Sequence, residues 1–192
     1  MPAAAKHREA IVASAATLFR RHGYSATGIH DILAASGAPR GSLYHYFPRG
    51  KTQIAEEAVR MAGARVQATL EGLLARHHGT APLVRAYARL VAGWMAASDY
   101  RDGCPISAVL MELAPHEPAV TEAGRAALSA WAGAIERAIA RDGLPARHAA
   151  PLSRSVVAML QGAMLQARVA RSGVPLEEAA RAVGRMLEAA RS

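Results

Sequence analysis

The chain has 192 residues, among them 46 alanines, 21 arginines, 2 lysines and 1 cysteine, and a formal net charge of +8. That length buries a real core in one or two domains, and so much alanine with so little β-branched and aromatic content favours helices over a sandwich or barrel. The lone Cys104 excludes an intrachain disulfide and a cysteine-based zinc cluster, and the longest run without Asp, Glu, Lys or Arg, Ser155–Ala167, falls short of the roughly 17–25 apolar residues that span a bilayer.

A first helix is expected from about Ala4 to His22, with Ile11, Ala15, Leu18 and Phe19 on one stripe and Gly23 placed to end it. Thr27 reads as the N-cap of a second helix, Gly28–Ser36, which buries Ile29, Ile32 and Leu33. Gly37-Ala38-Pro39 is a tight turn, and Pro39 suits the first position of a short third helix reaching Tyr46. Phe47-Pro48-Arg49-Gly50 breaks the chain before a long amphipathic helix, Lys51 to about Arg76. Five more helices follow: Thr80–Ala97, Pro105–Leu113, Pro118–Arg141, His148–Arg171 and Pro175–Ala190. Nothing alternates with period two and no repeat is visible. The expected fold is all-α, about nine helices, divided near residue 50 into a three-helix head (1–50) and a larger helical region (51–192).

The charge is not evenly spread. Residues 1–51 hold seven basic and two acidic side chains, a net of +5, and the other 141 residues carry only +3. A basic excess of this kind is the footprint of a polyanion-binding segment. Two short helices joined by a glycine turn and braced by a preceding helix form a helix-turn-helix, whose second helix presents its first residues to base edges in the major groove. Within Pro39–Tyr46, Arg40 can fork onto a guanine edge, Gly41 and Ser42 are small enough to let backbone approach DNA, and Leu43 faces the core. Tyr44, His45 and Lys51 can donate to phosphates.

The run Thr27-Gly-Ile-His-Asp-Ile-Leu-Ala-Ala-Ser-Gly-Ala-Pro-Arg-Gly-Ser-Leu-Tyr-His-Tyr-Phe47, with Leu18-Phe19 and Gly23-Tyr24 upstream, closely resembles the DNA-binding signature of the TetR/AcrR family of transcriptional regulators. The resemblance covers about residues 6–55. It departs at Ala38-Pro39, where the family usually carries Val-Ser or Val-Thr, and by one extra residue between Phe47 and Lys51. The Phe-Pro-x-Gly-Lys form, and Gly103-Cys104-Pro105 followed by Glu112, are similar to the LmrA/YxaF-like subgroup. The resemblance implies a homodimeric, ligand-responsive regulator, most simply a repressor released from a palindromic operator, with drug-like or flavonoid-like inducers. It places Thr27, Arg40, Ser42, Tyr44, His45 and Lys51 at DNA-facing positions.

Behind the head, large polarizable side chains are scattered over several helices, and such walls accept varied apolar ligands. Tyr87, Trp94, Met111, Trp131 and Met159 are candidate wall residues, with Met61 and Arg65 on the long fourth helix facing the same space. For dimerisation, Val156, Leu160, Ala163, Met164 and Ala167 give one helix a broad apolar face, and Val183 and Leu187 add the last helix. For each of these residues, plain membership of the internal core is the competing reading.

No metal site or cofactor is expected. His77 and His78 are adjacent, so on a helix they point about 100° apart. Cys104 reads as a small buried hydrophobe. No Gly-x-Ser-x-Gly, phosphate loop or dinucleotide fingerprint supports an enzyme. The opening residues lack the apolar core of a signal peptide, so a cytoplasmic protein is expected. Its partners would be double-stranded operator DNA, a small effector and a second copy of itself. The alternative is a helical small-molecule carrier that never acts through DNA.

Overall fold

The computed structural model describes residues 3–39 and 41–190. Among them lie nine helices and no strand: α1 (Ala3–His22), α2 (Ile29–Ser36), α3 (Ser42–Tyr46), α4 (Gly50–Arg76), α5 (Thr80–Ala97), α6 (Pro105–Leu113), α7 (Pro118–Arg141), α8 (Ala146–Ala170) and α9 (Val174–Ala189). The stops are local. Gly23, Gly37 and Gly143 adopt positive φ at chain breaks, a conformation that costs glycine nothing. Proline opens α6 and α9, where its missing N–H is not needed.

Two local expectations need correction. The N-cap of α2 is Gly28, whose backbone N–H donates to Asp31 Oδ2 at 2.8 Å. Thr27 instead turns its hydroxyl back onto the Gly23 carbonyl at 2.8 Å. The third helix starts at Ser42 with Gly41 as its N-cap, so Pro39 belongs to the turn. A proline favours an extended preceding residue, which suits the turn as well as it suits a helix start.

The helices form two compact units. Unit 1 is Met1–Ala64 with Cys104–Ala127, and unit 2 is Arg65–Gly103 with Leu128–Ser192. The core of unit 1 gathers Ile11 and Phe19 from α1, Ile32 from α2, Leu43 from α3 and Ile54 from α4, with Ile106 from α6, all fully buried. Here α7 approaches α4 closely: a Cβ added at Gly63 would lie 2.7 Å from the Ala127 Cβ. Unit 2 packs α5 against α9 and α8 against α9, around Leu83, Met95, Ile135, Ile139, Leu176 and Val183. Thus α6 and the first part of α7 pack with the reader helices, a grouping that helix periodicity does not reveal.

Candidate functional site

The reader is built from α2, its turn and α3. Gly37 (φ +64) closes α2 through an N–H bond to the Leu33 carbonyl, and Ala38 is buried beneath the turn. Leu43 and Phe47, four residues apart, anchor one side of α3 in the core, which leaves Tyr44 (64 % exposed) and His45 facing outward. Gly41 has open space where a Cβ would stand. Arg40 lies outside the described residues, as does the side chain of Ser42.

Thr27 and Lys51 are placed differently from their sequence expectation. Thr27 is only 2 % exposed and its hydroxyl is spent on Gly23, so it has nothing to offer a phosphate. The Lys51 ammonium donates to the carbonyls of Tyr24 and Thr27, both at 2.8 Å, and sits 4.0 Å from the Tyr24 ring centroid. Burial lowers its pKa, with the Glu112 carboxylate pulling the other way. Lys51 is therefore an internal brace between the start of α4 and the α1–α2 connector. Spacing alone could not separate a lysine aimed at phosphate from one aimed at nearby carbonyls.

The same connector is held from its other side by a residue that sequence reasoning noticed only as part of a motif. Glu112, in the last turn of α6, accepts the backbone N–H of Tyr24 through Oε1 and of Ser25 through Oε2, each at 2.7 Å. Burial pushes its carboxyl up, but the bonds from Ser25 and Tyr24 and the Lys51 ammonium outweigh this and hold it below the ordinary 4.5. On α4, Glu56 is likewise held low, chiefly by its hydrogen bond from Arg49 at 2.6 Å, with Arg60 adding a second.

Unit 2 contains a narrow crevice, about 20 Å³ of free space and partly open to solvent, lined by Val66 and Leu70 of α4, Tyr87 of α5, Trp131 and Ile135 of α7, and Val157, Leu160, Gln161 and Met164 of α8. None of the lining residues is Asp, Glu, Lys, Arg or His. Of the expected wall residues, Tyr87 and Trp131 are there. Trp94 is half-buried elsewhere on α5, and Arg65 is exposed. Met61 belongs to unit 1, and Met111 is 85 % exposed on α6, so neither lines this wall. Met159 lines an open groove between α8 and α9 instead, while its neighbour Leu160 faces the crevice. One residue along a helix is a turn of about 100°, and that rotation decides which of the two meets the cavity.

The comparisons with known proteins agree with this architecture. The family model for bacterial regulatory proteins of the tetR family matches residues 11–58, and that for the C-terminal domain of LmrA/YxaF-like transcriptional regulators matches residues 80–182. The chain belongs to the TetR family of transcriptional regulators. Within that family it is similar to an uncharacterized HTH-type transcriptional regulator of Mycobacterium tuberculosis, 38 % identical over 88 % of each chain. It is also similar to the HTH-type transcriptional regulator LmrA of Bacillus subtilis, 30 % identical over 88 % of this chain and 90 % of that one. A crystal structure of a TetR transcriptional regulator from Chloroflexus aurantiacus superposes with a TM-score of 0.79 at 29 % identity, covering 98 % of this chain and 97 % of the other.

TetR-family regulators dimerise, and the residues expected to do so lie mostly within this chain's own packing. Val156, Leu160, Ala163, Met164, Ala167, Val183 and Leu187 are all buried in the single chain, with Ala163 at the floor of the open groove between α8 and α9. The broad apolar face of α8 is the one its own unit consumes. Opposite it run Ala158, Gly162, Leu165 and Val169, all exposed, with Leu165 at 66 % and Val169 at 80 %. Among the described residues no group of three or more His, Cys, Asp or Glu could hold a metal ion, and no helix is long and apolar enough to cross a membrane.

Proposed function

We propose that this TetR-family regulator is a cytoplasmic repressor. As a homodimer it grips a pseudo-palindromic operator and releases it when a small, uncharged, apolar or aromatic ligand enters the crevice of unit 2. The crevice lining carries this reading. A charged ligand would lose its hydration there with no counter-charge to replace it, whereas Trp131, Met164 and the aliphatic walls offer dispersion and the Tyr87 hydroxyl and Gln161 amide offer polar orientation. The free space in the crevice is only about 20 Å³, room for about one water and far below a small-molecule site, so a ligand has to widen the crevice as it enters. Helix α4 supplies Val66 and Leu70 to that wall and Lys51 to the reader brace within one unbroken helix, which makes it the natural lever.

On the DNA side, Tyr44 and His45 are exposed donors among the described side chains of α3 and serve as phosphate or base-edge contacts. Arg40 keeps its role as the guanine reader on sequence grounds. The second copy packs on the outward stripe of α8. Gly162, with open space at its Cβ position, permits close approach there, and Leu165 and Val169 supply the apolar area. Two heads on a two-fold axis then meet half-sites about 34–36 Å apart or a multiple of that.

The test is a selection of duplexes from a random-sequence pool by the wild-type protein, followed by titration of uncharged aromatic compounds with tryptophan fluorescence as readout. Retention of a pseudo-palindrome and its release by such a compound is the expected result. A protein that binds the compounds yet retains no specific duplex is a carrier, and the repressor reading falls.

A further inference from the structure

We infer that Glu112 is a positioning residue for operator recognition: from α6 it sets the course of the α1–α2 connector and thereby the placement of the reading helix. This rests on the operator-binding reading above. The connector is the six residues Gly23 to Gly28, between the end of α1 at His22 and the start of α2 at Ile29, and its polar groups are gripped from two sides. Glu112 takes the N–H groups of Tyr24 and Ser25, both at 2.7 Å, and Lys51 takes the carbonyls of Tyr24 and Thr27, both at 2.8 Å. The Tyr24–Ser25 peptide is thus held at both edges, its N–H by the acid and its carbonyl by the base. Thr27, the last residue before Gly28 caps α2, is buried with its hydroxyl on Gly23, so the connector has no slack to absorb a shift.

Gly23 shows how tightly the carboxylate fits. Its φ is +88, and a Cβ there would lie 2.8 Å from Glu112 Oε1. The residue therefore has to be glycine both for its backbone and for its neighbour. Successive N–H groups beside a positive-φ residue form an anion-holding concavity, and this chain fills it with its own side chain, 87 residues away from Ser25 in sequence. Base-edge contacts carry the sequence information and need the reading helix in register, whereas phosphate contacts are made alike on any sequence. Loosening the connector consequently costs operator affinity more than general DNA affinity.

The experiment measures binding of three full-length variants to a wild-type-selected duplex and to a random duplex: Glu112→Gln, Glu112→Asp, and Met111→Gln as a control on the exposed side of α6. Amide hydrogen exchange at Tyr24 and Ser25 is followed in parallel. Losing a charge-assisted bond is worth about ten-fold in an equilibrium. Glu112→Gln is expected to lower operator affinity about ten-fold, leave random-duplex affinity unchanged and speed exchange at both amides. Glu112→Asp, with its charge kept but its reach shortened, falls between, and it decides the matter if the glutamine variant does not fold. Met111→Gln behaves as wild type. A merely destabilising change removes active protein and lowers both affinities by the same factor, so an unchanged operator-to-random ratio overturns the positioning role. So does faster exchange with undiminished operator binding. A wild-type protein that retains no specific duplex overturns the operator reading itself, a distinguishable result.

Discussion

The ammonium of Lys51 lies 2.8 Å from two carbonyl oxygens, and this changes what its removal does. Lys51→Met deletes two charge-assisted hydrogen bonds at a half-buried site, at a cost of about 1–2 kcal/mol of unit 1 stability. The salt dependence of DNA binding is expected to keep its slope. A urea titration and gel shifts at two salt concentrations check both, and a slope shallower by about 1 with unchanged stability would put Lys51 on a phosphate after all. Glu56 and Glu112 give a pH signature. Both are held below 4.5 in the folded chain and return to ordinary values when it unfolds. Their contribution is complete above about pH 4.5 and is lost as pH falls through the depressed folded values, because the unfolded state binds the protons first. The thermal midpoint of the wild type is expected to drop on acidification through this range. A Glu56→Gln, Glu112→Gln double variant should show a shallower drop, and an identical acid profile would contradict the assignment.

At the scale of elements, helix rotation carries the consequences. Ala163 and Leu165 stand two positions apart on α8, yet one is buried in the chain and the other is 66 % exposed. Ala167→Arg, at a fully buried position of the same helix, buries an unpaired charge and is expected to destabilise the fold by about 3–5 kcal/mol. Leu165→Arg leaves the fold intact and converts the dimer to monomer at micromolar concentration, as light scattering would show. A dimeric Leu165→Arg protein would move the interface off this stripe. Close packing makes a second demand. Gly63→Ala gains about 1 kcal/mol of helix propensity, but its Cβ would stand 2.7 Å from that of Ala127, and overpacking costs about 1–3 kcal/mol. A lower urea midpoint is the expected net result.

For the whole molecule, the governing constraint is linkage. An inducer shifts the population of DNA-competent dimers only if it binds the other arrangement better. A coupling of about 1–3 kcal/mol would lower operator affinity roughly 5–150-fold, and operator DNA must then weaken inducer binding by the same factor. Fluorescence titrations of the inducer with and without saturating operator measure this directly, since Trp131 lines the crevice. An inducer that releases DNA yet binds both forms equally would exclude coupling through this crevice.

The helical class, most helix boundaries and the family are legible in the amino-acid sequence. Each rests on short-range information: alanine content, the 3.6-residue period, glycine at chain breaks, and the contiguous run Thr27–Phe47. The sequence also placed Leu43 inward and Tyr44 and His45 outward, because a five-residue helix pinned at Leu43 and Phe47 has only one face left. Tertiary structure decided whatever depends on chain distant in sequence. A broad apolar face on α8 is compatible with a core or a dimer interface, and only the packing of α8 against α9 assigns it to the core. Lys51 reads as a phosphate donor until the Tyr24 and Thr27 carbonyls stand beside it. Glu112 has no visible role until α6 folds against α1, since a carboxylate finds its N–H partners across 87 residues only through the packing of whole helices.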